Sequence, residues 1–243
     1  MGLFDLPSPL FACLDRWADG VLPPWLRLVA WGAVGGSISM LLYRHFSDQA
    51  AIEAGRRRIE TARKFLNGFE GEMEEAWPVM RSLLRASFRQ VVRVGWPAMA
   101  ASLPLLFLLS WLSTSYGYTY PPAGQAPAVW AEPPQFHALW IEPPAHARKA
   151  PRILVSDGKG RTVAEVALHA PVPVIQKKRW WNLLMGNPAG YLDGRAAVDH
   201  VSASLPRREM LPFGPAWMRT WEIVFFVPLL FVSVALKAAL KIK

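Results

Sequence analysis

Cysteine is almost missing from this chain: Cys13 stands alone, which excludes an intrachain disulfide and any metal site built from several thiolates. The histidines, His45, His137, His146, His169 and His200, are scattered without metal-ligand spacing. A Gly-rich phosphate loop, a nucleophile elbow and a paired helical His-Glu-His arrangement are also missing. Asp157 and Asp199 are accounted for by a turn and a strand edge. Without convergent polar groups the sequence predicts no catalytic site, no metal and no cofactor. Charge is likewise scarce in three long apolar runs, where Arg27, Arg93, Glu222 and Lys237 come near, each toward a run's end. A charge at the bilayer centre costs about 2.5–3.5 kcal/mol on insertion scales and marks a transport path where it occurs, so a proton- or ion-coupled transporter is disfavoured. Residues 1–21 lack a basic region ahead of an apolar core and carry Asp5, Asp15 and Asp19 against Arg16. That is not the pattern of a cleavable signal. Leu10, Phe11, Leu14 and Trp17 share a helical face, which predicts an amphipathic segment lying along the outer membrane surface.

What the chain does have is apolar length. Leu22 to Tyr43, Val94 to Tyr116 and Trp221 to Leu240 can each cross a hydrocarbon core that needs about 20 helical residues. The last is the shortest in its uncharged centre, with Trp221 and a snorkelling Lys237 as interface anchors. Basic residues set the expected orientation. Arg44, Arg56, Arg57, Arg58, Arg63 and Lys64 follow the first run, and none occurs from Gly117 to Ala147 after the second. Lys237, Lys241 and Lys243 close the chain. The N-terminus is therefore expected outside and the C-terminus in the cytoplasm of a bacterial inner membrane. The formal net charge of +9 is explained by this topology and by anionic lipid head groups, without nucleic acid.

Between the first two runs, residues 44–93 form a charged segment tethered at both ends. Ile52, Ile59, Leu66, Met73 and Met80 recur every seventh residue, with Gly55, Ala62, Phe69 and Ala76 at the companion positions. This seam predicts a cytoplasmic coiled-coil hairpin in which Pro78 ends the first helix and opens the second. The hairpin is either a self-packed stalk or a surface on which Phe65, Phe69, Met73, Trp77 and Met80 meet other apolar segments, since Met adapts to varied partners. Arg81, Arg85, Arg89 and Arg93 fall at four-residue intervals and form a basic stripe. They suit anionic lipid or the positive wall of a polar groove. In the first run Gly32 and Gly36, with Ser37 and Ser39 beside them, suit close helix packing or a groove lining, and Ser102 belongs to the same candidate face of the second. Pro97, Pro104 and Pro228 are expected to bend their helices.

After the second run, residues 117–151 are rich in proline, from Pro121 and Pro122 through Pro143 and Pro144 to Pro151, and read as an extended outer linker. Residues 152–220 read as a small extracytoplasmic β-rich domain. Arg152 to Leu168 alternates around Asp157-Gly158-Lys159-Gly160, a hairpin signal, and Val172–Gln176 and Ala196–Ala203 add short strands. Lys177, Lys178, Arg179, Trp180 and Trp181 form a basic-aromatic cluster for the outer membrane surface or a partner. Residues 221–240 are the third span and 241–243 a cytoplasmic tail. The predicted fold is thus an α-helical membrane protein with three transmembrane helices at 22–43, 94–116 and 221–240.

The order of outer N-terminus, first span, cytoplasmic hairpin, second span, outer region and third span resembles the YidC/Oxa superfamily of membrane-protein insertases. The three-span branch of archaeal YidC-like and endoplasmic-reticulum relatives is the most similar. The resemblance rests on Leu42-Tyr43-Arg44 leaving the first span, Asp48-Gln49, the basic-acidic helix, and a Met- and Arg-bearing helix running into a Pro-containing second span. It covers Leu22 to Leu112 and, less closely, Trp221 to Lys243. The long outer region departs from it. So does the groove arginine of the bacterial members, which has no counterpart in mid-span; Arg27 and Arg93 lie nearest. The resemblance implies a half-channel open to cytoplasm and lipid, with membrane proteins as clients and no nucleotide. A different class stays open beside it: a structural or assembly subunit that clamps a larger membrane complex through its outer domain and arm.

Overall fold

The computed structural model describes residues 2–69, 71, 73–142 and 150–242, with backbone alone at 73–75, 183 and 185. The Met73 side chain, Pro143, Pro144, His146 and Lys243 lie outside the described residues. The main helices are α1 (Ser8–Asp19), α2 (Pro24–Phe46), α3 (Gln49–Asn67), α4 (Met73–Tyr116), the short α5 (Asn182–Met185) and α6 (Trp221–Ala239). Three of these, α2, α4 and α6, are long and apolar enough to cross a membrane. Pro24 opens α2, where a missing N–H matters least. Glu222 in the first turn of α6 and Lys237 in its last both suit the helix dipole.

The helix break in the arm differs from the expectation. Pro78 lies inside α4, and α3 ends instead at Gly68, whose N–H reaches back to the carbonyls of Lys64 and Phe65. Near the start of α4 a proline forfeits only one backbone bond, whereas Gly68 is a poor helix former and leaves the helical region at φ −104° and ψ 10°. The helix therefore runs uninterrupted from the arm into the second span. On α3 the seam positions remain the covered ones: Ile52 and Gly55 are buried and Ile59, Ala62 and Leu66 half-buried.

The chain divides into two compact units, Met1–Leu28 with Leu106–Phe225, and Val29–Leu105 with Phe226–Lys243. The first contains two antiparallel three-stranded sheets. One has the order β1 (Val129–Glu132), β6 (His200–Ala203), β5 (Val174–Gln176), and the other β2 (His137–Ile141), β3 (Arg152–Ser156), β4 (Thr162–Ala167). β1 and β2 fall in the segment read from sequence as a linker. Prolines flank these strands without interrupting them, so the ladders remain intact. The β3–β4 hairpin lies where the alternation placed it. Its turn is tied by the Asp157 carboxylate, which accepts the N–H groups of Lys159 and Arg161 at 2.9 Å each, and Gly160 takes the positive φ of 76°. Ala131, Ile153, Val155, Ile175 and Val201 bring both sheets into one apolar core with Leu168 and Val198. Each fully buried aliphatic side chain contributes about 1.5–3 kcal/mol.

The same unit holds the N-terminal segment. Phe4 meets Phe107 at 5.3 Å and Phe11 meets Trp111 at 5.7 Å between ring centroids, while Leu10, Leu14 and Trp17 remain exposed. The buried Asp5 carboxylate sits 2.5 Å from where a Cβ on Gly186 would be, so only glycine fits there. Ahead of α6 the chain ties itself into a small knot: Arg219 donates to the Gly214 carbonyl at 2.7 Å and to the Glu209 carboxylate at 3.2 Å, and Met210 N–H reaches the Arg219 carbonyl.

Candidate functional site

In the second unit, Asp48 caps α3 by accepting the Ala51 N–H at 2.9 Å. Gly55 then allows α3 to pass so close to α4 that a side chain there would strike the Gln90 amide. Gln90 uses the approach by donating to the Ile52 carbonyl at 3.0 Å. Its amide oxygen is buried with no hydrogen-bond partner. Arg93 adds a longer bond to the Ala51 carbonyl at 3.4 Å.

Beside this crossing lies a cavity of about 690 Å³. Met40 and Tyr43 of α2 line it together with Val94 of α4 and Ile242 beyond α6. Charge enters from Glu53, Arg56, Arg57 and Glu60 of α3 and from Lys237 of α6. Arg57 is held by Glu53 at 2.6 Å, a pair on the helix surface. A smaller cavity of about 400 Å³ is lined by Phe46, Asp48, Arg93 and Trp96, among others.

The basic stripe is exposed along its length: Arg81, Arg85, Arg89 and Arg93 all face outward. Next to it runs an apolar row of which the sequence singles out Trp77 alone. Trp77, Leu84, Phe88, Val91, Val92 and Trp96 are exposed, Phe88 by 72% and Trp96 by 70%. Their three- and four-residue steps place them on one side of the helix. Phe69 stacks on Phe65 at 5.6 Å, and Met80 is half-buried.

The small residues of the first span are taken up mainly by packing. Gly36 lies against α6, where a Cβ would come within 2.7 Å of the Leu229 carbonyl oxygen. Ser39 donates to Ala101 of α4 at 3.2 Å. Gly32 is buried, Ser37 bonds within its own helix to Ala33, and Ser102 does so to Met99. None of these five residues lines the larger cavity. The basic-aromatic cluster also divides. Lys177 donates to the Ala196 carbonyl at 2.6 Å and Arg179 pairs with Asp199 at 3.2 Å, leaving Lys178, Trp180 and Trp181 exposed.

Arg27 is a second point the sequence did not resolve. It is buried in the first unit, donates to Asp15 at 2.8 Å and pairs with Asp19 at 2.8 Å. Tyr116 donates its hydroxyl to Asp15 at 2.6 Å. The guanidinium groups of Arg27 and Arg208 lie 5.9 and 5.5 Å from the Tyr116 ring centroid. Arg27 is thus a paired structural cation and not a free groove charge. The available signal was Asp15 and Asp19, one helical turn apart on α1 and close in sequence to the head of α2.

Among the described residues no three of His, Cys, Asp and Glu gather as a metal cluster. Compared with known proteins, the chain matches no family model, no curated protein and no solved structure.

Proposed function

We propose that this is a non-catalytic integral membrane protein that receives apolar segments of other membrane proteins and assists their insertion or assembly, as an insertase-like or chaperone-like member of the YidC/Oxa superfamily. One observation carries the reading: Trp77, Leu84, Phe88 and Val92 are exposed in a row on α4, ahead of the Val94–Tyr116 stretch that alone is long enough to span. An apolar row of that length outside the bilayer invites an apolar partner. Phe69 and Met80, and Met73 by its place in the sequence, are read as part of the same contact region. Arg81, Arg85, Arg89 and Arg93 hold acidic client segments or anionic lipid beside it.

In this reading the arm and C-terminus are cytoplasmic and the β region lies outside a bacterial inner membrane, as the basic residues favour. A polar client segment lying against the arm crosses less hydrocarbon, which lowers its desolvation cost. No cofactor, metal or nucleic acid takes part. The test is photocrosslinking from position 88 in growing cells. Capture of many newly made membrane proteins is the expected result, and a single stoichiometric product overturns it.

That product would favour the second reading, a structural subunit clamping a larger membrane complex. Its supporting observation is the β region fastened to the N-terminal segment, with Lys178, Trp180 and Trp181 left exposed for a fixed partner.

A further inference from the structure

The cavity beside the α3–α4 crossing has a composition that the arm reading does not use. Its apolar wall is made by Met40 near the end of α2, Val94 within α4 and Ile242 just beyond α6, all three helices being long enough to span. Its cations Arg56 and Lys237 are exposed; of the two carboxylates that share the lining, Glu53 is engaged by Arg57 and Glu60 is the other, so the three cations outnumber the acids by one. Tyr43 adds a hydroxyl. Lys237 stands in the last turn of α6 and Tyr43 near the end of α2, so the cavity lies at the level where apolar helix gives way to charged chain. The amphiphile present at that level in any bilayer is a phospholipid, with a phosphate for cations and acyl carbon for apolar walls.

We infer that this cavity is a binding site for one anionic phospholipid, with the phosphate held by Arg56 and Lys237 and the upper acyl chain against Met40, Val94 and Ile242. The site does not depend on what the exposed row of α4 receives. A bound lipid would join α2, α3 and α6 through groups that do not otherwise pair. It would also satisfy the charge that the arm brings against the membrane boundary.

The experiment uses the full chain in detergent micelles, probed with dioleoylphosphatidylglycerol, dioleoylphosphatidylcholine and inorganic phosphate, and read by native mass spectrometry and thermal midpoint. One phosphatidylglycerol is expected to be retained, at an affinity about tenfold or more above that for phosphatidylcholine. Arg56→Gln combined with Lys237→Gln should abolish that preference. Both side chains are exposed, so the change leaves the core untouched. Val94→Trp, which fills the cavity, should weaken retention of both lipids, while Lys159→Gln in the β3–β4 turn should change nothing. Equal retention of the two lipids by the unaltered chain, or an unchanged preference in the double variant, overturns the assignment. A midpoint shift with inorganic phosphate equal to that with phosphatidylglycerol overturns the lipid as ligand.

Discussion

Charge is treated in opposite ways at Arg27 and along α4. Around Arg27 two carboxylates and an aromatic face meet one guanidinium, and the Tyr116 hydroxyl holds one of those carboxylates, Asp15. Along α4, Arg81, Arg85 and Arg89 stand exposed next to Trp77, Leu84 and Phe88. The contrast separates groups that complete their own fold from groups left at the surface. A buried ion left unpaired is strongly destabilising, so the first arrangement is fixed by folding. Exposed arginines and apolar residues are nearly neutral for stability and are free to serve contact.

The largest test of that contrast is Asp15→Ala, which leaves the buried guanidinium with the exposed Asp19 alone and removes the acceptor of Tyr116. A loss of about 3 kcal/mol is expected in the unfolding of the detergent-solubilised protein. Gly36→Leu should follow at about 2 kcal/mol, because the added side chain meets the Leu229 carbonyl and forces α2 from α6. Phe88→Ala should move stability by less than about 0.5 kcal/mol yet sharply reduce crosslinked partner from neighbouring positions on α4. A comparable stability loss at Phe88 would erase the distinction drawn above.

The smallest effect is expected at Asp157. The backbone N–H of Arg161, with further help from its side chain and from Lys159 N–H, holds the Asp157 carboxyl below the ordinary carboxylate range. Because the folded value is depressed, its contribution is complete above the unfolded carboxylate value and is lost as pH falls through the folded one. Asp157→Asn should therefore lower the thermal midpoint slightly at neutral pH and converge with the unaltered protein in acid, flattening the acid limb of the pH profile.

Much of the helical architecture is legible in the sequence, since continuous apolar runs need no partner to be recognised. The expected spans beginning at Leu22 and Trp221 correspond to α2 and α6 within a few residues. The Asp157–Gly160 hairpin is equally readable, because the turn chemistry is local. Strands β1 and β2 are not: their neighbouring prolines dominate the local signal, while pairing comes from β6 and β3, which lie farther along the chain. The Asp15–Tyr116 bond joins residues too distant for any periodicity to connect. On α4 the heptad pattern drew attention to Met73 and Met80, whereas the exposed row follows the neighbouring helical stripe through Leu84 and Phe88. The lining of the larger cavity was invisible for a related reason, as it draws on four separate segments.

The knot drawn by Arg219 around Gly214 and Glu209 has a mechanical consequence. It draws residues 209 to 219 into a closed loop whose last member stands two positions ahead of Trp221, so the run-up to the third apolar helix is set by the Arg219 side chain and not by the length of the connection.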